Sequence, residues 1–160
     1  RDIELLDELA YKMKNRNFIL CSCNPKYLNK KYKSNNLKVI SADLCEMRYL
    51  YKYCSCVIIP LKYNEHVSGC TTLLEAAAMK KAVVISDVPG IRDYVLDNKT
   101  GIVIPIGNVE LFKTAVLRLV NNKRYADVLA NNAYEYTKND FNTNIWAMKH
   151  IEISANLEEK

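Results

Sequence analysis

Cys56-Val57-Ile58-Ile59-Pro60 is an uninterrupted apolar run, and Ala82-Val83-Val84-Ile85 repeats the pattern further along the chain. A strand with one wet face alternates apolar and polar residues. A continuous run of this length suits a strand buried on both faces, which is how parallel sheets covered by helices read in sequence. Between the two runs, Thr71 to Lys80 is apolar and alanine-rich, so the unit reads strand, helix, strand. Outward toward the start lie two shorter strand-like runs, Phe18-Ile19-Leu20-Cys21 and Leu37-Lys38-Val39-Ile40, and a helical stretch over 44–53. Residues 2–14 place Leu6, Leu9, Ala10 and Met13 on one helical face. Outward toward the end, Ser86-Asp87-Val88-Pro89-Gly90 has turn chemistry, 91–96 a helical turn, and Ile102-Val103-Ile104-Pro105 makes a last strand. Helices over 109–121, 123–138 and 142–155 follow. Strands alternating with helices predict one α/β doubly wound domain over residues 1–160, a parallel sheet with helices on both faces.

Composition narrows the function classes. A chain of 160 residues buries enough surface to fold without disulfides or metal, and no apolar run approaches the ~18 residues of a membrane span. The net charge of +5 is concentrated in Lys26, Lys30, Lys31, Lys33 and Lys38, interleaved with Tyr27 and Tyr32. This stretch reads as a solvated loop, with a contact to anionic lipid headgroups as the alternative. It contains no nucleic-acid recognition module, so no nucleic-acid partner is expected. The cysteines at 21, 23, 45, 54, 56 and 70 avoid the second half of the chain, unlike a disulfide scaffold. The pairs Cys21/Cys23 and Cys54/Cys56 are spaced more tightly than zinc ligands on a turn. Reduced, mostly buried thiols in a cytosolic protein without a metal are expected. Arg1-Asp2-Ile3-Glu4 already reads as a first helical turn, so no leader precedes the fold and the chain looks cut from something longer.

Open α/β sheets bind ligands beyond the carboxyl ends of their strands. Two loops lie there, 61–72 and 86–91. In the first, Ser68-Gly69-Cys70-Thr71-Thr72 is small and polar, which either opens backbone N–H groups to a phosphate or simply caps the helix. In the second, the Pro-Gly turn reads as architecture.

Three segments raise the ligand reading. Gly69-Cys70-Thr71-Thr72-Leu73-Leu74-Glu75-Ala76, then Val83-Val84-Ile85-Ser86-Asp87-Val88-Pro89-Gly90-Ile91, then Asp97-Asn98-Lys99-Thr100-Gly101-Ile102-Val103-Ile104-Pro105 closely resemble, in order and spacing, the donor half of retaining GT-B glycosyltransferases (glycosyl transferases group 1). The likeness covers nearly the whole chain. It implies the Rossmann-like carboxy-terminal half of a two-domain enzyme, binding a nucleotide-diphosphate sugar for transfer, with retention and without a metal or other cofactor, to a glycan or lipid-linked acceptor. The acceptor would come from an amino-terminal domain that is not part of this chain, without which the chain is expected to be inactive. A cytoplasmic protein, peripheral at the inner membrane face, fits that class and the Lys-rich stretch.

The resemblance also assigns residues. Glu75 matches the glutamate that accepts hydrogen bonds from two ribose hydroxyls, a task its two oxygens suit. Gly69, Cys70, Thr71 and Thr72 match the helix start whose N–H groups approach the diphosphate, with side chains of little consequence. Val39, Ile40 and Ser41 match the strand end that meets the base. The family's other glutamate, which contacts the donor sugar, falls on Val67, leaving that role vacant; Glu65 and His66 are the candidate catalytic groups that reach the same space. The Arg and Lys that clamp the diphosphate belong upstream of the first helix, beyond Arg1, which implies weakened phosphate binding. The family's Gly-Lys-Pro after the alanine-rich helix appears as Lys80-Lys81-Ala82. Val67 supports a rival reading, a binding or scaffolding domain that has lost transfer. A signalling receiver is set aside, because Asp43 and Asp87 are too isolated. The closing helix with Trp146, Met148 and His150 reads as a packing element; in the resembled enzymes the last helix crosses to the other half, which implies that here it is loosely held.

Overall fold

A computed structural model of the chain describes residues 1–158. Along it run α1 (Ile3–Lys12), β1 (Phe18–Cys21), α2 (Pro25–Leu28), β2 (Leu37–Ile40), α3 (Leu44–Tyr53), β3 (Val57–Ile59), α4 (Cys70–Ala78) and β4 (Val83–Ser86). A 3-10 turn at Ile91–Asp93, β5 (Ile102–Ile104), α5 (Val109–Asn121), α6 (Lys123–Asp140) and α7 (Thr143–Glu158) complete it. Every strand pairing is parallel, as expected. The strands nevertheless form two sheets: β1–β2, with Cys21 opposite Ile40, and β3–β4–β5, with Ile59 opposite Ile85 and Ile85 opposite Val103.

The doubly wound reading is visible in the pleat. Side chains alternate along a strand, and in β4 Val84 joins one core while Val83 and Ile85 join another. The first core gathers Leu6 and Leu9 of α1, Phe18, Leu37, Phe112 and Leu119 of α5, and Leu129 of α6. It spans both sheets. The second gathers Tyr51 of α3, Ile59, Leu61, Leu73 and Ala76 of α4, Ile91 and Val95. Burial on both faces therefore holds for β4, which is central. It does not hold for β3, where Val57 and Ile58 are only half-buried, because β3 is an edge of its sheet.

Local chemistry explains the element ends. Asp2 caps α1 by accepting from the Leu5 N–H at 3.0 Å, Asp43 and Glu46 form a capping box on α3, and Asn108 and Asn122 cap α5 and α6. At the end of α4 the Lys81 N–H donates to Ala76 O and the Lys80 N–H to Ala77 O, closing a Schellman turn in which Lys80 takes φ +51°. The helix keeps the stop that the family's glycine would make.

Three expectations are corrected. The Lys-rich stretch is not simply a solvated loop: Asn24 caps the short α2, whose first residue is Pro25, and the rest docks on α1. There Asp7 accepts from the Lys33 N–H (2.8 Å), the Ser34 N–H (2.9 Å) and Ser34 Oγ (2.6 Å), while Lys30 pairs with Glu4 and Lys33 with Glu8. The thiols are not mostly buried, since Cys23 and Cys45 are exposed and the other four half-buried. Nor does α7 pack: Trp146 is 62% and Met148 66% exposed. Its start is held by Phe141, which stacks on Tyr94 at 5.2 Å. No described helix is long and apolar enough to cross a membrane.

Candidate functional site

The chain leaves β3 at Pro60, loops out over 61–68 and re-enters as α4. Gly69 stands at the junction with φ +91°, and a Cβ there would lie 3.0 Å from both Ile59 Cγ2 and Arg1 Nη1, so the position requires glycine twice over. Gly69 is the N-cap residue of α4, and its carbonyl accepts from the Leu73 N–H at 3.0 Å. No side chain caps α4, and among the described residues nothing accepts from the N–H groups of Cys70, Thr71 and Thr72. Three donors thus point outward at the positive end of a helix dipole.

Arg1 lies across this helix start. Its Nη2 donates to Thr72 Oγ1 at 2.7 Å, which gives the Thr72 side chain a role beyond its backbone. Burial lowers the Arg1 pKa, with Tyr51 and Cys70 opposing that effect, and the guanidinium forms no ion pair with a carboxylate among the described residues. A cation at the positive end of a helix is electrostatically unfavourable unless an anion joins them. Arg1 is thus a cation at this helix start that the sequence reading did not single out.

Glu75 is exposed on α4, one turn beyond Thr71 and Thr72. Its Oε2 accepts from the Tyr51 hydroxyl at 2.8 Å, and Oε1 has no partner among the described residues. Burial, then the hydrogen bond to Glu75 and its charge, push the Tyr51 pKa well above its ordinary value, so the phenol remains a donor. Cys21 at the end of β1 is close enough to act on Tyr51, and Ile40 is its register partner. That brings the strand end carrying Ile40 and Ser41 to this side of the molecule; Ile40 is half-buried with its carbonyl occupied by the Ser22 N–H (2.9 Å), and Ser41 is exposed.

The loop itself is seated on the Pro-Gly turn. A Cβ on Gly90, whose φ is +79°, would overlap Val67 Cγ2, so this turn does more than reverse the chain. Val67 rests on Gly90, and Glu65 and His66 are exposed. Below them the buried Ser86 Oγ accepts from the Leu61 N–H at 2.8 Å, fixing the root of the loop. Asn64 leaves its Oδ1 buried and unpaired in the same loop. Sequence reasoning missed Arg1, Tyr51, Ser86 and Asn64. Only Arg1 carried a legible signal, a cation just ahead of a capped helix.

No cluster of metal-ligating side chains occurs among the described residues. Burial raises the pKa of Cys70, Cys54 and Cys21 and pushes Cys56 up to about 12, so these thiols stay protonated. A separate open groove runs beside Glu8, Lys12 and the 106–110 segment, but its charges pair with one another and with Lys33: Lys12 with Glu110 at 2.7 Å and Glu8 with Lys33 at 2.9 Å.

The open helix start and the guanidinium above it lie beyond the carboxyl ends of parallel strands, the place where doubly wound domains bind ligands. The chain belongs to the glycosyl transferases group 1 family, whose model matches residues 7–136. It is 29% identical over 72 residues to an uncharacterised glycosyltransferase of Methanocaldococcus jannaschii, an alignment covering 45% of this chain and 18% of that protein. Its fold is that of GT-B glycosyltransferase structures. It superposes on sucrose-phosphate synthase from Thermosynechococcus elongatus with a TM-score of 0.79 at 19% identity, covering 98% of this chain and 42% of the synthase. On Anabaena HepE, solved in complex with UDP-glucose, the TM-score is 0.71 at 14% identity, covering 98% of this chain and 45% of HepE. The chain thus spans less than half the length of these relatives.

Proposed function

We propose that the chain is the donor half of a retaining glycosyltransferase, binding a nucleotide-diphosphate sugar beyond the carboxyl ends of its strands. The observation that carries this reading is the uncapped start of α4 with Arg1 across it and Glu75 a turn further on. The Cys70, Thr71 and Thr72 N–H groups and the Arg1 guanidinium take the diphosphate, Glu75 accepts from the ribose hydroxyls, and Ile40 and Ser41 border the base. As the bond to the sugar breaks, negative charge grows on the departing diphosphate, where fixed N–H dipoles and a guanidinium stabilise it without a metal ion. The acceptor hydroxyl, of a glycan or lipid-linked substrate, comes from a separate amino-terminal domain, so this chain alone binds the donor and does not transfer. Membership of the family and the nucleotide sugar held by HepE support the donor class. Lys26, Lys31 and Lys38, which form no ion pair among the described residues, support peripheral contact with anionic lipid at the cytoplasmic face.

A second reading, a domain that binds the nucleotide but no longer transfers, is favoured by Val67 seated on Gly90 where the resembled enzymes carry a glutamate. Calorimetric titration with UDP, GDP and ADP tests the shared premise. One nucleoside diphosphate is expected to bind saturably, and Glu75→Ala and Arg1→Ala each to weaken it roughly tenfold or more, the order of a lost charge-assisted hydrogen bond. A folded chain that binds none of them would overturn both readings.

A further inference from the structure

We propose that Tyr51 is a positioning residue for Glu75, holding its carboxylate so that this site prefers ribonucleotides over 2′-deoxynucleotides. The inference rests on the donor reading above and extends it to a residue that contacts no ligand.

The two side chains arrive from different elements. Tyr51 sits in the last turn of α3, is 7% exposed and is fixed within the second core among Ile59, Leu61, Leu73 and Ala76. Glu75 projects from α4 into solvent. An exposed glutamate samples several rotamers, and ordering it on binding opposes affinity. The 2.8 Å bond from a rigid, buried phenol to Oε2 removes that freedom beforehand. The polarity of the bond matters too. The phenol is held protonated by burial and by the carboxylate itself, so it donates and cannot accept. Glu75 therefore keeps Oε1, and the second lone pair of Oε2, as acceptors only. What completes them is a ligand that donates, and adjacent ribose hydroxyls are such a pair. A 2′-deoxyribose leaves one acceptor position unused.

The test uses this chain, with UDP, GDP and ADP and their 2′-deoxy counterparts as ligands, in wild type, Tyr51→Phe and Glu75→Asp. The phenylalanine ring of the first variant preserves the core, and an amide correlation spectrum verifies the fold. Glu75→Asp keeps the carboxylate but is one methylene too short to meet the phenol, and its exposed position leaves folding unaffected. The wild type is expected to bind one ribonucleotide about tenfold more tightly than its deoxy form, the order of one hydrogen bond to a charged group. Both variants should reduce that preference to less than about threefold, with most of the loss falling on the ribonucleotide, because the deoxy form keeps only its 3′-hydroxyl as a donor to Glu75. A merely structural role for Tyr51 would weaken both ligands alike, and that result overturns the proposal. Retention of the full preference in either variant overturns it as well, while the donor reading stands. Equal binding of ribo and deoxy forms by the wild type removes Glu75 from ribose recognition and the proposal with it. Failure of every nucleotide to bind overturns the donor reading itself.

Discussion

Lys80 and Gly69 carry the chain through the two positive-φ positions that bracket α4, and they do so at different cost. Lys80 holds φ +51° with a side chain, stacking its Nζ 4.4 Å from the Tyr134 ring. An L-residue other than glycine loses about 1 kcal/mol in that conformation. Lys80→Gly is therefore expected to be more stable than Lys80→Ala by about 1 kcal/mol, since both variants lose the stacking but only alanine keeps the strain; urea unfolding of the two variants reads the difference. Gly69→Ala is a harsher change, because the added methyl meets Ile59 and Arg1 as well as the forbidden φ. A loss of roughly 2 kcal/mol or more is expected from strain and overpacking together. Arg1 is displaced in the same step, so nucleotide affinity should fall with stability. Unchanged affinity in a destabilised Gly69→Ala would argue that Arg1 does not touch the ligand.

Among the elements, the β3–α4 loop and the Lys-rich stretch are each held by a few polar bonds whose loss is measurable. Ser86→Ala removes the buried acceptor of the Leu61 N–H and leaves that donor without a partner, which costs about 1–3 kcal/mol. The Lys-rich stretch is held by carboxylates of α1, and this makes its docking acid-labile. Burial pushes the Asp7 pKa up, but the Ser34 hydroxyl and the N–H groups of Lys33 and Ser34 together bring it below the ordinary value. For Glu4 the Lys62 ammonium leads, followed by its own N–H and Lys30, and the value falls to about 2. Groups whose folded pKa is depressed stabilise the docked form fully above the unfolded carboxylate range and lose that contribution as pH falls through the folded values. The Lys33 and Ser34 amide resonances are therefore expected to hold steady from pH 7 to pH 5 and to move toward unstructured positions on approach to pH 2. Asp7→Asn should shift them at pH 7.

For the molecule as a whole, the split sheet sets the pattern of stability. β4 is paired on both sides and its residues are fully buried, whereas β1 and β3 each leave an edge unpaired. The Val84 and Ile85 amides are expected to exchange with solvent most slowly, and the edge amides of β1 and β3 at least ~100-fold faster, because local opening exposes edges first. The Asp2 N–H donates to Pro60 O at 2.8 Å, so α1 begins beside the end of β3 and then leads into β1. A right-handed crossover puts any parallel strand feeding α1 between those two edges. A chain carrying such a strand ahead of Arg1 should therefore unfold at a higher temperature than this one, and an unchanged Tm would show that the two edges do not face a shared slot.

The sequence by itself determined the order of every element except the short α2, the parallel pairing, the sidedness of the helices and the loop that leads through Gly69 into the helix carrying Glu75. These follow from signals a few residues long: period-2 and period-3.6 burial, caps, and Pro or Gly at turns. Tyr51 on Glu75, Arg1 on Thr72, Val67 on Gly90 and Asp7 under Ser34 were decided only by the tertiary structure. So were the exposed α7 and the division of the sheet. Each joins elements distant in sequence, and a tyrosine on an amphipathic helix or an arginine ahead of one looks the same whether it meets a carboxylate, a helix dipole or water. Local periodicity encodes which face of an element is buried. What that face meets depends on how the chain closes on itself.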